Sequence, residues 1–267
     1  MSSDRRDPPA SPAPPAAPRP VSHGASDVGL KRERNEDSFL VDPDLGLYVV
    51  ADGMGGHAGG GTASKLAVRT VQRYLQDLRR DAPSTFDPAP FDTSPIAGKV
   101  RAAVEAACRT IYETAQADPS LAGMGTTVTA ALVQGRSVFL AHVGDSRCYL
   151  IRDGRIHQVS EDHSLVNEQL KAGAITLDEA RTSRFRNIIT RSVGFEEQVE
   201  VDLSALEGHA GDHLLLCCDG LTNLVDDSEI LEIVEAIPLP KVPERLIHLA
   251  NERGGDDNIT VVVVRLA

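Results

Sequence analysis

Apolar residues run uninterrupted, or alternate with polar ones, over 36–41, 45–51, 126–133, 137–143, 146–151, 198–203, 212–218 and 258–265, and these runs are rich in Val, Leu, Ile and Thr. A period of two with that composition predicts strands. Most of the runs are separated by short turns, which favours antiparallel pairing. Two other segments carry helical spacing instead: Ala63, Ala67, Val71, Tyr74, Leu75 and Leu78 in one, and Ile96, Val100, Ala103, Val104, Ala107 and Ile111 in the other. Shorter helices are expected over 164–172, 227–235 and 243–252. Between the long helices, residues 81–95 (DAPSTFDPAPFDTSP) hold prolines that forbid a buried strand and predict a surface loop. The polar, weakly helical stretch 162–187 is a candidate flap over a site. Two sets of strands with long helices inserted between them predict an α+β chain, a β-sandwich with helices outside, and not a doubly wound parallel sheet.

At 267 residues and 41% hydrophobic content, the chain can bury one sizeable core. Residues 1–20 hold seven of the sixteen prolines in a Pro/Ala/Ser background and are expected to form a disordered leader, with one domain over 21–267. Arg5 and Arg6 have no apolar segment after them, so they are not read as a twin-arginine export signal. No run approaches the ~20 apolar residues that span a bilayer, so a soluble protein with no membrane partner is expected. The formal charge of −12 disfavours nucleic acid, and no basic stripe with interleaved aromatics offsets it. Cys108, Cys148, Cys217 and Cys218 lack zinc-ligand spacing and are expected to be reduced core residues in a cytoplasmic protein.

Four aspartates sit at the ends of strand-like runs. Asp52 ends LGLYVVAD, Asp145 ends VFLAHVGD, Asp219 ends HLLLCCD, and Asp257 stands in GGDDN before ITVVVV. Carboxylates at the edge of buried sheet are costly unless something positive pairs with them. Most have no Lys or Arg beside them in sequence, so a divalent cation held by several oxygens is the economical partner. Beside Asp52, Gly53 would let a backbone carbonyl approach an ion closely. The same segment fits a G-x-G-x-x-A dinucleotide fingerprint, but only a proline-rich loop follows where a second acid-tipped strand is needed. His57 in that loop is a candidate proton donor, against the alternative of a solvent-exposed histidine. In KRERNEDSF, Glu36 and Asp37 could act on metals directly or through water while Arg32 or Arg34 clamps a phosphate; solvated surface is the alternative. Asp145 could be a further ligand, or could pair with Arg147 at a turn. C-x5-R, G-x-S-x-G and the P-loop are absent. What remains is an all-oxygen binuclear site for Mg²⁺ or Mn²⁺ that activates water.

These residues resemble one family closely, the metal-dependent protein Ser/Thr phosphatases of type 2C in their compact bacterial form. The motifs are R-x-x-N-E-D-S (Arg32 to Ser38), VVADGMGGHAGG (49–60), GTTVTAALV (125–133), HVGDSRCYL (142–150), EDHSLV (161–166), RNIITRSVG (186–194), LLLCCDGLTNLV (214–225) and GGDDNITVVVVRL (254–266). They stand in the family's order.

The resemblance implies a four-layer α/β/β/α sandwich with a binuclear Mn²⁺/Mg²⁺ centre at one end of two antiparallel sheets. It implies that Asp52 bridges both ions, that Gly53 lends its carbonyl to one, and that Asp219 and Asp257 bind the other. Glu36 and Asp37 would support the site through metal-bound water, and Asp145 with Asp219 matches a third-metal position. Arg32 matches the phosphate-binding arginine, and His57 the general acid. The implied reaction is in-line attack on phosphorus by a metal-activated water, with no phosphoenzyme. Two departures stand out: Gly61 replaces the family's usual glutamate, and the flap reads TSRFRN where many bacterial members have His-Pro before R-N.

The expected protein is a monomeric cytoplasmic enzyme acting on phosphoserine and phosphothreonine in phosphoproteins, reversing a bacterial Ser/Thr kinase or acting on the kinase itself. Its rivals are a phosphoprotein-binding pseudophosphatase and a phosphatase dedicated to one small regulatory protein. Retention of Asp52, Asp219 and Asp257 argues against the first rival, because binding alone does not require a costly carboxylate cluster.

Overall fold

The computed structural model describes residues 19–55, 59–81 and 95–267. Most of the expected leader (residues 1–18), His57 and the interior of the proline-rich loop (82–94) lie outside the described residues.

Twelve strands are described: β1 (Val21–Asp27), β2 (Ser38–Asp42), β3 (Leu47–Ala51), β4 (Gly53–Met54), β5 (Gly125–Thr126), β6 (Val128–Gln134), β7 (Ser137–Val143), β8 (Arg147–Arg152), β9 (Arg155–Gln158), β10 (Asp202–Glu207), β11 (His213–Cys217) and β12 (Ile259–Arg265). The helices are α1 (Gly59–Asp81), α2 (Pro95–Ala117), α3 (Leu165–Lys171), α4 (Leu177–Thr182), α5 (Asp219–Thr222), α6 (Asp227–Ala236) and α7 (Val242–Glu252). Two five-stranded antiparallel sheets, in the orders β1-β12-β11-β8-β9 and β10-β7-β6-β3-β2, form the body, and β4 pairs with β5 as a small separate ribbon.

The alternation in sequence becomes a separation of cores. On β3, Leu47, Val49 and Ala51 face α1 and α2, while Tyr48 and Val50 face the opposite sheet. On β12, Ile259, Val261 and Val263 pack with α6 and α7, and Val262 and Val264 turn inward. Side chains on successive strand residues point to opposite faces, so each central strand serves two cores at once and reads as a nearly continuous apolar run. The result is four layers, α/β/β/α, as expected. Among the described residues, no helix is long and apolar enough to cross a membrane.

The strands that the pattern did not predict are the edge strands β1 and β9 and the two-residue strand β4 of the small ribbon. β1 (VSHGASD) is polar and only half-buried; it is held by backbone pairing along all of β12. The Phe39 ring lies where a Cβ on Gly24 would project, so the glycine makes room for the ring. β9 is the opposite edge of the same sheet and mostly exposed. The run expected over 198–203 is displaced: Val199 and Val201 pack against the α1/α2 core, but ladder pairing with β7 begins only at Asp202. Burial and hydrogen bonding have different limits there.

Leu216 is fully buried between the two sheets. Leu216→Ala leaves a cavity that neither sheet can close without breaking its ladder, and should cost about 2–5 kcal/mol. Urea denaturation should show a lower midpoint at an unchanged slope.

Candidate metal centre

All the candidate aspartates reach one end of the sandwich. Ser38 at the start of β2 pairs with Ala51 at the end of β3, which brings Asp37 beside Asp52. On the other sheet, Cys217 at the end of β11 pairs with Val261 near the start of β12, which brings Asp219 beside Asp257. Asp145 lies where the chain leaves β7 in one sheet and enters β8 in the other. The turn depends on Gly144, with φ of 110°; a side chain there would also strike Thr127.

The carboxylates load one another with negative charge. Burial, and then the charges of Asp37, Asp219, Asp145 and Asp257, push the Asp52 carboxyl well above the usual range. Burial pushes Asp37 up to about 7, against hydrogen bonds from Thr260 and Cys218 that favour its charged form. Asp145 is raised by burial and by Asp219 and Asp162. Asp219 is raised by burial and Asp257, and its carboxyl is hydrogen-bonded to Asp52. Oδ1 of Asp37 and Oδ1 of Asp145 are buried with no hydrogen-bond partner. Buried acceptors without donors are rare and costly. Acceptor-only oxygens, several negative charges and a strand-end location suit a hard divalent cation with oxygen ligands, so the residues fit Mn²⁺ or Mg²⁺.

A second set of contacts fixes this cluster, and most of it escaped the sequence reading. Asn258 accepts from the Glu36 backbone N–H at 2.8 Å and donates to the carbonyls of Val28 and Arg34 at 2.9 Å each. One amide thus ties residues 28–36 to the strand start that carries Asp257. Thr260 Oγ1 donates to Asp37 Oδ2 at 2.6 Å. The Asp52 carbonyl accepts from Thr127 N at 2.9 Å and from Thr126 Oγ1 at 2.8 Å. Gly53 is pressed between the Gly60 carbonyl and the Glu36 carbonyl, which leaves no room for a Cβ. The Glu36 side chain lies against Gly60 at the start of α1. A polar Asn and Thr flanking the apolar run of β12 were the available sequence signal for the Asn258 and Thr260 contacts.

Arg32 Nη2 donates to Asp257 Oδ2 at 2.6 Å, with its side chain about half exposed, so this cation stands at the rim of the centre. Arg34 contributes its backbone carbonyl to Asn258. The alternative pairing of Asp145 with Arg147 does not occur. Arg147 instead forks onto Asp162, with Nε 3.0 Å from both carboxylate oxygens and Nη2 2.6 Å from Oδ2. His163 is buried beside this pair; its Nδ1 accepts from Gly144 N at 3.0 Å, and its Nε2 lies 3.2 Å from Asp202 Oδ2. The base of the candidate flap is therefore fastened to the turn that carries Asp145. All four cysteines are free and buried, as expected. The Cys218 sulfur nevertheless lies within 4.8 Å of carboxylate oxygens of both Asp37 and Asp52, so it borders the centre as well as the core.

Comparisons with known proteins find relatives over most of the chain. The family profile described as "Protein phosphatase 2C" matches residues 30–256. The chain is 38% identical over 245 residues to the protein phosphatase PhpP of Streptococcus pneumoniae, covering 90% of this chain and 95% of that protein. It is 42% identical over 241 residues to the serine/threonine protein phosphatase PstP of Mycobacterium tuberculosis, covering 89% of this chain and 43% of that longer protein. The crystal structure of Mycobacterium tuberculosis PstP/Ppp superposes with a TM-score of 0.84 at 38% identity, covering 93% of this chain and 99% of that one. A structure of the PstP catalytic domain in complex with two manganese ions superposes with a TM-score of 0.80 at 38% identity, covering 92% and 98%.

The acidic cluster makes metal-free stability depend on pH. Asp37, Asp52, Asp145 and Asp219 all have folded-state pKa values above their unfolded ones, so the folded state holds more protons and loses stability as pH rises from about 4 towards 7. Buried His142, lowered to about 4, and His213, lowered by partial burial, work in the opposite direction, but they are two histidines against four buried carboxyls. The melting temperature of EDTA-treated protein should therefore fall from pH 4 to pH 7, and Mn²⁺ at pH 7 should reverse the fall. A metal-free protein most stable at pH 7 would contradict this.

Proposed function

The chain belongs to the protein phosphatase 2C family and is a metal-dependent protein serine/threonine phosphatase, and we propose that Asp37, Asp52, Asp145, Asp219 and Asp257 hold its ions while Arg32 and His57 serve the substrate. The observation that carries this reading is the convergence of those five carboxylates at one end of the sandwich, two of them with buried oxygens that no donor satisfies. In this assignment Asp52 lies between the two sheets' acids, Gly53 contributes its carbonyl, and Glu36 acts through solvent beside Gly60. When bound, the ions lower the pKa of water for attack on phosphorus and neutralise the phosphoryl oxygens.

The remaining work falls to the chain. Arg32, anchored through one nitrogen on Asp257, has further guanidinium donors for a phosphoryl oxygen. A water oxygen forms the new bond to phosphorus, and the bond to the serine or threonine oxygen breaks. The departing alkoxide takes a proton, which we assign to His57. Thr260, Asn258 and the Thr126–Thr127 pair keep the carboxylates in place during this exchange. A cytoplasmic location, a monomeric state and a bacterial Ser/Thr kinase as the opposing enzyme complete the proposal. The opposing kinase is supported by relatives named as protein phosphatases of Streptococcus pneumoniae and Mycobacterium tuberculosis.

Two experiments test this reading. Asp52→Ala and Asp219→Ala should each lower p-nitrophenyl phosphate turnover with Mn²⁺ by at least about a thousandfold, roughly 4 kcal/mol of barrier. Both variants should retain a native circular dichroism spectrum and lose Mn²⁺ binding by calorimetry; wild-type turnover in either refutes the site. His57→Ala should reduce turnover of phosphothreonine peptides far more than that of p-nitrophenyl phosphate, because p-nitrophenolate leaves without a proton. Equal losses on the two substrates would remove His57 from that role.

A further inference from the structure

A groove of about 410 Å³ opens beside the acidic centre. Its near wall is Met54, two residues beyond Asp52, on the β4–β5 ribbon whose Thr126 bridges to Val193. Ile189, Phe195 and Val199 supply the other apolar surface, and Glu196 and Glu200 stand exposed along it. Phe195 is 63% exposed, a large apolar side chain left facing solvent. Arg191, the cation among the lining residues, is already engaged by Asp202 at 2.7 Å and by Glu200 at 3.4 Å, so the walls keep a net negative charge.

We propose that this groove seats the protein segment flanking the phosphorylated residue, with a bulky apolar side chain against Met54, Ile189 and Phe195 and a Lys or Arg facing Glu196 and Glu200. The inference rests on the phosphatase reading above and names the substrate class for that same centre. Continuity supports the occupant: Met54, in the groove wall, stands two residues along the chain from Asp52, so the groove adjoins the carboxylate cluster. Complementarity supports it too, since an apolar surface edged by carboxylates favours a hydrophobic residue next to a basic one and disfavours an acidic flank. A small aryl phosphate reaches the centre without entering the groove.

The test uses two phosphothreonine peptides that differ only in their flanks, one with Leu and Arg and one with Gly and Glu, with p-nitrophenyl phosphate as the reference. Wild-type protein with Mn²⁺ should favour the Leu/Arg peptide by about tenfold or more in kcat/KM, the discrimination a hydrophobic pocket typically provides. Phe195→Ala and Glu196→Lys should each erode that preference mainly through KM while leaving p-nitrophenyl phosphate turnover unchanged. Equal kcat/KM for the two peptides in the wild type overturns the groove assignment, as do variants that lose peptide and aryl phosphate turnover alike. If the wild type hydrolyses neither peptide nor aryl phosphate, the phosphatase reading itself fails and the groove falls with it.

Discussion

Five carboxylates at one end of a β-sandwich cannot all be charged and close together without a compensating cation. At ~4 Å and an effective dielectric of about 20, each like-charged pair repels by about 4 kcal/mol, and several such pairs would rival the net stability of a domain. The fold accepts this because the acids sit at strand ends, where the two sheets offer backbone and side-chain donors but, among the described residues, no Lys or Arg hydrogen-bonded within the buried part of the cluster. Arg32 pairs with Asp257 at the rim, and its charge is felt as far as Asp219. The rest of the architecture can be understood as what is needed to hold these groups in register until cations neutralise them.

Three devices do this holding, each with a distinct physical basis. Antiparallel ladders bring the ends of β3 and β11 to the same level as the starts of β2 and β12. Asn258 uses both ends of its amide to hold the segment that bears Glu36 and Asp37. The crossover at Gly144–Asp145 links the sheets, and His163 accepts a backbone hydrogen bond from that turn while touching Asp202 on β10. Every carboxylate thus has a rigid backbone beneath it, which lowers the ordering cost of binding an ion.

The central strands and long helices were legible because burial on both faces makes β3, β6, β11 and β12 strongly apolar, and because α1 and α2 bury a single stripe. β1 and β9 were not, since an edge strand is stabilised by backbone pairing that leaves little trace in composition. The clustering of the candidate aspartates was legible for a related reason: an acid terminating a buried run is anomalous. The role of Asp162 was not, because nothing in the spacing tells that Arg147 prefers it to Asp145. Asn258 and Thr260 were hidden by their ordinariness, as polar residues at the start of a strand usually need no explanation. The contribution of Cys218 was hidden by its neighbours, because a thiol in an apolar run reads as core even when its other side borders carboxylates.

The overall charge of −12 raises a last question about recruitment. A phosphate dianion approaching such a protein is repelled at long range, and only cations in the centre reverse the local sign. At physiological salt the Debye length is about 8 Å, so this repulsion is largely screened at a distance, and the attraction of the ions and Arg32 is likewise felt only by a phosphate already close to the centre. A phosphoprotein therefore gains little from its phosphate until it has docked by other means. Apolar contact and a positively charged flank are the two attractions compatible with a negative surface, and the groove beside Met54 offers both next to the strand end that carries Asp52. The same electrostatics that require metal in the centre thus favour substrates whose phosphorylated residue has basic and hydrophobic neighbours.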